Sequence, residues 1–171
     1  EHPDLIWQEG EPGWGVGSVI DGEHLYTFAC DTDFLANPCA LARGPLDAVQ
    51  SRSAWQYFDG RDWSDDMSTA ESLFDGAPIM SVAWSDHLQA WLTVYSPPFS
   101  EEILARTAPD LTGPWSRPAV LHVADGEEPY DAVRHAEFDE DDGAVIYLSW
   151  SRSTGEGWFD TERPLVRVAL Q

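Results

Sequence analysis

The run "MSVAWSDHLQAWLTVYS" (80–96), continued by "EILARTAPDLTGPWS" (102–116) and "SRPAVLHV" (116–123), decides how the chain folds. Its first part holds two apolar-alternating runs on either side of Asp86, the pattern of a β-hairpin. A third run, Ile103 to Thr107, meets Pro109, Asp110 and Gly113-Pro114, which turn the chain before Trp115 and a fourth apolar run. Four short strands in a meander, with Pro and Gly confined to the connections, describe one blade of a β-propeller.

The same plan recurs on both sides. "VGSVIDGEHLYTFACD" (16–31) is a hairpin closed at Asp21-Gly22, and "HAEFDEDDGAVIYLSWSR" (135–152) is another, turning at Asp142-Gly143. Each hairpin is followed by a third strand that carries an arginine: "CALARGPL" with Arg43, "EILARTAPD" with Arg106, "RPLVRVAL" with Arg167. These arginines repeat at roughly sixty residues, somewhat longer than the usual blade repeat. "SAWQYFDGRDWS" (53–64) supplies the first unit with a fourth segment, as 116–123 does the second.

The expectation is an all-β chain, a β-propeller of four-stranded antiparallel blades. About three blades are present, over about 14–64, 70–123 and 130–170, and residues 4–9 ("DLIWQE") read as the outer strand of a preceding blade. The third unit has no fourth strand, so the chain is read as the C-terminal part of a propeller whose open blade edges contact the remaining blades or another copy. A small β-sandwich of similar strand count fits the same composition.

Composition narrows the function classes. The 171 residues carry 31 acidic and nine basic side chains, every basic one an Arg, for a formal net charge of −22. Such a field repels nucleic acid and anionic lipid, which makes both poor partner candidates, and no nucleic acid is expected. No apolar run reaches the length of a membrane-spanning helix, so no membrane insertion is expected. The acidic surface suits a secreted or extracytoplasmic protein. The run Asp139 to Asp142 lacks the alternating ligands and closing Glu of a calcium loop, and no metal or other cofactor is expected.

Cys30 and Cys39 enclose "DTDFLANP" between two strand-like runs, a spacing that suits a local disulfide across a hairpin and an oxidising compartment. Two free buried thiols are the alternative. Nothing nearby completes a zinc site. Neither a Gly-x-Ser-x-Gly elbow nor a glycine-rich phosphate loop is present.

The strings "GSVIDGEHLYTFACD", "CALARGPL", "WQYFDGRDWS", "IMSVAWSDHL", "ILARTAPDLTGPWS" and "YDAVRHAEFDEDDGAVIYLSWSR" resemble the bacterial domain of unknown function 4185 over about residues 14–170. "DLTGPW" is also similar to a string of furanoside-cleaving propeller glycosidases such as the family 43 glycoside hydrolases. The resemblance implies a five-bladed, secreted or lipid-anchored propeller, some of whose relatives cleave D-arabinan while many have no known activity.

Glycoside cleavage needs two carboxyl groups across the scissile bond, one protonated and one ionised. The residues that best suit it lie in "YDAVRHAEF" (130–138): Asp131, His135 and Glu137 as catalytic candidates, with Tyr130 and Arg134 as substrate-binding ones. The strand period puts His135 and Glu137 on one face. Trp14 is a further candidate, as a platform for a sugar ring. The competing reading is structural, with Glu137 or Asp131 paired to Arg134 or to backbone, Trp14 packed against a neighbouring blade, and Asp31 and Asp33 merely forming turns. The first inner strand lacks the Glu that the resemblance to the furanosidases implies as a general acid, which counts against hydrolysis. The two function classes in play are therefore a carbohydrate-active propeller, acting on or binding a furanose-containing glycan, and a non-catalytic extracellular scaffold.

Overall fold

The computed structural model describes residues 5–31, 36–126, 128–155 and 160–170, and Asp4 and Asp33 lie outside them. The chain divides into two compact units, 1–78 and 79–171. The strands are antiparallel throughout, joined by turns and a few three-residue 3₁₀ segments.

The first unit is one sheet in the order β1 (Trp14–Asp21), β2 (His24–Cys30), β3 (Pro38–Pro45), β4 (Gln56–Phe58), β5 (Trp63–Ser64), with β6 (Phe74–Asp75) also on β3. Asp21 pairs with His24, so the anticipated hairpin closes through Gly22 and Glu23, with Gly22 in the left-handed region at φ 56°. The register of β1 slips between Trp14 and Ser18, where Gly15 takes φ 112°, a bulge that a side chain would strain. Cys30 and Cys39 are cross-strand partners and form a disulfide with sulfurs 2.05 Å apart.

Residues 5–9 are not the outer strand expected of 4–9. Ile6 and Trp7 instead pack on an apolar cluster around Ala42, Trp55 and Tyr57. Trp7 Nε1 donates to the Tyr57 hydroxyl (3.1 Å), and the Gln8 amide donates to Glu11 (2.7 Å), bending the chain toward Gly10 and Pro12. Burial of two large side chains on one side wins over an extended strand with nothing to pair with. The second blade-like unit also starts later than 70, because β6 pairs with β3 and residues 70–78 belong to the first unit.

The second unit holds two sheets. One has the order β10–β9–β8–β7, from β7 (Met80–Ser85), β8 (Ala90–Tyr95), β9 (Glu102–Ala108) and β10 (Ala119–Val123). The other joins β11 (Tyr130–Arg134) to β12 (Val145–Ser153), which pairs in turn with the short β13 (Thr161–Glu162) and with β14 (Leu165–Ala169). Leu92 and Val94 of β8 and Ile103 and Ala105 of β9 form a common core with Ile146, Leu148 and Trp150 of β12.

The recurrent arginines lie on the third strand of each sheet and tie it to its surroundings. Arg43 donates to Gln56 on β4 and sits 4.1 Å above the Trp63 ring. Arg106 donates to the Ser116 carbonyl (2.7 Å), while the Ser116 amide donates to the Thr107 carbonyl and the Thr107 amide to the Ser116 hydroxyl, so "TAPDLTGPW" is a loop returning to its own strand. Arg167 reaches Glu140 (2.7 Å).

Candidate functional site

The candidates in "YDAVRHAEF" straddle a strand end. The inner strand runs Tyr130–Arg134, not through Glu137, and Ala136–Phe138 is a 3₁₀ turn. His135 and Glu137 therefore owe nothing to the two-residue strand period. The reason is the ion pair between Arg134 and Asp139, which draws residues five apart together and forces the chain between them to turn. The Arg134 side chain is only 3 % exposed, its Nε also donates to Asp139 (3.3 Å), and its backbone amide donates to Ser81 of β7 (2.7 Å). This places Arg134 in the interior as a loop anchor, not at a surface where substrate would meet it.

The other groups gather on one face of β12. Ile146, Leu148 and Trp150 point into the core, so the alternate residues Tyr147, Ser149 and Ser151 share the opposite face. Each takes part in a small polar cluster. At Ser151 the backbone amide donates to Asp131 (3.0 Å), and Arg163 joins the Asp131 carboxylate (2.5 Å) to the Ser151 hydroxyl (3.1 Å). At Ser149 the hydroxyl lies 2.7 Å from His135 Nε2, whose Nδ1 faces Glu137 at 3.4 Å. At Tyr147 the hydroxyl donates to Glu140 (2.5 Å), which Arg167 also binds. Successive clusters are set off by about 7 Å, two strand residues.

The electrostatics separate the roles. The Glu137 carboxyl is held below its ordinary range, first by its own backbone N–H and then by His135. That is opposite to the displacement a proton donor needs. Glu140 is likewise lowered, by Arg167 first and Tyr147 second, and the Tyr147 hydroxyl is raised by the carboxylate it serves. Asp131 adopts φ 52°, an uncommon backbone for a residue other than glycine, with its carboxylate turned back against β12.

Glu137, His135 and Ser149 stand in the order of orienting acid, base and hydroxyl. Ser149 is nonetheless 3 % exposed and paired in register to both Val133 and Leu165 in mid-strand. That burial leaves no access for a carbonyl carbon. The arrangement orients the imidazole and does not make Ser149 a nucleophile.

Trp14 lies in the first unit. Its ring packs 5.3 Å from Tyr57 and 6.0 Å from Trp7, and its Nε1 meets the Met67 sulfur at 3.4 Å. Next to Met67 is an open concavity of about 850 Å³ lined by Arg52, Tyr57, Asp65, Asp66 and three serines. Its polar groups are committed nearby: Arg52 to Glu11, Asp66 to Ser68 and Asp65 to Gln56. It has volume without convergent free groups, so the chemistry is better placed on the third sheet. Among the described residues, no group of three or more His, Cys, Asp or Glu is arranged to hold a metal ion.

Sequence reading missed Asp139, Ser149, Ser151 and Arg163. The alternation in "YLSWSRS" (147–153) marks the serines as one face, but Arg163 lies 32 residues from Asp131 and nothing local links them.

A family model described as domain of unknown function 4185 matches residues 4–155. No curated protein sequence matches. Among solved structures, a Bacteroides ovatus protein named as a candidate hydrolase is similar with a TM-score of 0.66 and 14% identity, over 92% of this chain and 45% of that one. The α-L-arabinofuranosidase of Podospora anserina, solved with cellotriose, is similar at 0.55 and 16%, over 93% and 48%. The catalytic domain of a Coprinopsis cinerea family 62 α-L-arabinofuranosidase is similar at 0.57 and 14%, over 92% and 47%. The chain thus spans just under half the length of these structures. At such identities the likeness is one of fold, that of the β-propeller glycoside hydrolases, and the antiparallel meanders of this chain are its blades.

Proposed function

The chain belongs to the domain of unknown function 4185 family, and from that premise we propose that it is part of a secreted or extracytoplasmic carbohydrate-active propeller, acting on or binding a furanose-containing glycan. The observation that carries this reading is the polar face of the third sheet. There the Asp131–Arg163 pair and the His135–Glu137 pair lie side by side on β12, with the exposed Tyr130 ring next to Asp131. The glycoside hydrolase fold of the structural relatives supports it, as does the cellotriose bound in one of those structures. In this reading Asp131, fixed by Arg163, is the ionised carboxylate facing the sugar. His135, oriented by Glu137 and Ser149, donates to or accepts from a hydroxyl. Glu137 serves through His135. The proton donor for hydrolysis then belongs to another part of the protein, and the remaining blades of a five-bladed ring, or a second copy, complete the site against the open edge of β14.

The alternative, a non-catalytic scaffold, is favoured by one observation, the pairing of Asp139 with Arg134 and of Asp131 with Arg163 within the same unit. Glycan-array screening of the full-length protein separates the two, since a scaffold gives no sugar-dependent signal. Within a positive signal, Glu137→Gln and Asp131→Asn should abolish turnover or binding while the melting temperature holds. A lowered melting temperature with binding intact would return both residues to a structural network.

A further inference from the structure

The turn that carries His135 and Glu137 ends on an aromatic ring. Phe138 closes the 3₁₀ segment Ala136–Phe138, and its amide donates to the His135 carbonyl at 3.0 Å. Side chains three residues apart eclipse one another in a 3₁₀ turn. The two rings accordingly lie together, centroids 5.7 Å apart and planes tilted by 30°, a separation at which they are offset rather than face to face. The Tyr147 ring of β12 stands edge-on to Phe138 at 6.4 Å and 83°.

These contacts hold the ring without burying it. Phe138 remains 52 % exposed, although phenylalanine is among the residues that gain most from leaving water. The turn is fixed by the Arg134–Asp139 pair at its two ends, so the ring is presented at a set place whether or not it is covered. The groups beside it have the chemistry of a hydroxyl site. His135 is held in orientation by Ser149 at Nε2 (2.7 Å) and by Glu137 at Nδ1 (3.4 Å). The Glu137 carboxylate is 64 % exposed, an acceptor open to solvent one residue from Phe138.

We propose that Phe138 is the stacking surface of a subsite for one neutral sugar ring, whose C–H face lies on the phenyl ring and whose hydroxyls meet His135 and Glu137. An aromatic face matches the apolar face of a sugar, and imidazole and carboxylate supply the donor and acceptors that hydroxyls require. The same exposed carboxylate repels a uronate or a sulfated ring brought against it, which selects a neutral one. This inference rests on the carbohydrate reading above and adds to it a binding residue, Phe138, and a substrate class.

The test is NMR on the full-length protein with its seven phenylalanine rings labelled with carbon-13. The Phe138 signal is the one that disappears in Phe138→Tyr, a variant that keeps an aromatic ring and should bind as the unaltered protein does. Xylotriose, cellotriose and an arabinofuranose trisaccharide are the neutral probes, and trigalacturonate is the anionic one. At least one neutral probe should bind and shift the Phe138 signal, and trigalacturonate should do neither. Phe138→Leu keeps the apolar bulk, so the melting temperature should hold while binding weakens roughly tenfold. The shift is read in the unaltered protein, so it decides even where Phe138→Leu loses its fold. If a neutral probe binds and is lost in Asp131→Asn while the Phe138 signal stays in place, the subsite is refuted and the carbohydrate reading stands. If no probe binds the unaltered protein, both are refuted. Preferential binding of trigalacturonate would overturn the neutral ligand class.

Discussion

Asp139→Ala should be among the most damaging single changes in the second unit, although Asp139 belongs to an acidic run that reads as solvated surface. The carboxylate is 13 % exposed and its partner, the Arg134 side chain, 3 %. Removing it leaves a guanidinium buried beside Ser85 and Gly143 with nothing to balance its charge. Breaking a buried pair from one side costs about 3–5 kcal/mol. For a chain of this size each kcal/mol moves the melting temperature by about 2–4 °C, so a fall on the order of 10 °C is expected. Arg134 Nη1 already has no partner among the described residues, which leaves the site no spare acceptor. Arg134→Met should do less harm, because the stranded Asp139 retains some access to water. The double change Arg134→Met with Asp139→Leu should recover most of the loss, since a buried pair replaced by apolar groups of similar size is often close to neutral. Urea unfolding followed by far-ultraviolet circular dichroism measures all three. A cost below about 1 kcal/mol for Asp139→Ala, or a double variant as unstable as the single one, would refute the idea that this buried charge pair shapes the β11–β12 loop.

Reducing the Cys30–Cys39 disulfide, which closes a loop of sequence separation 9, should lower stability by roughly 3 kcal/mol in the chain-entropy account. Iodoacetamide should label both sulfurs only after reduction, read by intact mass. Leu148→Ala removes a fully buried side chain between the two sheets of the second unit and should cost about 2–5 kcal/mol by chemical denaturation. Gly44→Ala would set a Cβ 2.9 Å from the Trp55 ring and should destabilise by about 1–3 kcal/mol, with a shift in tryptophan emission. Arg52 lowers the Glu11 carboxyl from 4.5 to about 2, so the pair contributes stability above pH 4.5 that is lost as pH falls through about 2. In Arg52→Gln the Glu11 carboxyl resonance should titrate higher, still lowered by the Gln8 amide that donates to it, and the stability difference from the unaltered protein should vanish below pH 2.

Much of the architecture was legible because its signals are local. Asp21-Gly22 between alternating runs closes a two-residue hairpin whatever lies beyond it, and Pro109 and Gly113-Pro114 mark the loop after β9 in the same way. The disulfide followed from two short strands flanking one loop. The reading failed where a long-range contact overrode a local pattern. "HAEF" alternates like a strand, but the Arg134–Asp139 pair turns it, and Ile6 and Trp7 pack on the cluster around Trp55 and Tyr57.

The sequence by itself determined the all-β class, the hairpins and the Arg-bearing third strands, because side-chain period and turn chemistry act over a few residues. Only the tertiary structure decided which groups stand together. It set Asp131 on Arg163, His135 between Glu137 and Ser149, and the Ala132 amide on the Ser96 hydroxyl. The physical reason is that a period of two assigns a residue to a face without saying what meets that face. Hydrogen bonds between residues 14, 32 or 36 apart are specified by packing of whole strands and leave no mark on any one of them.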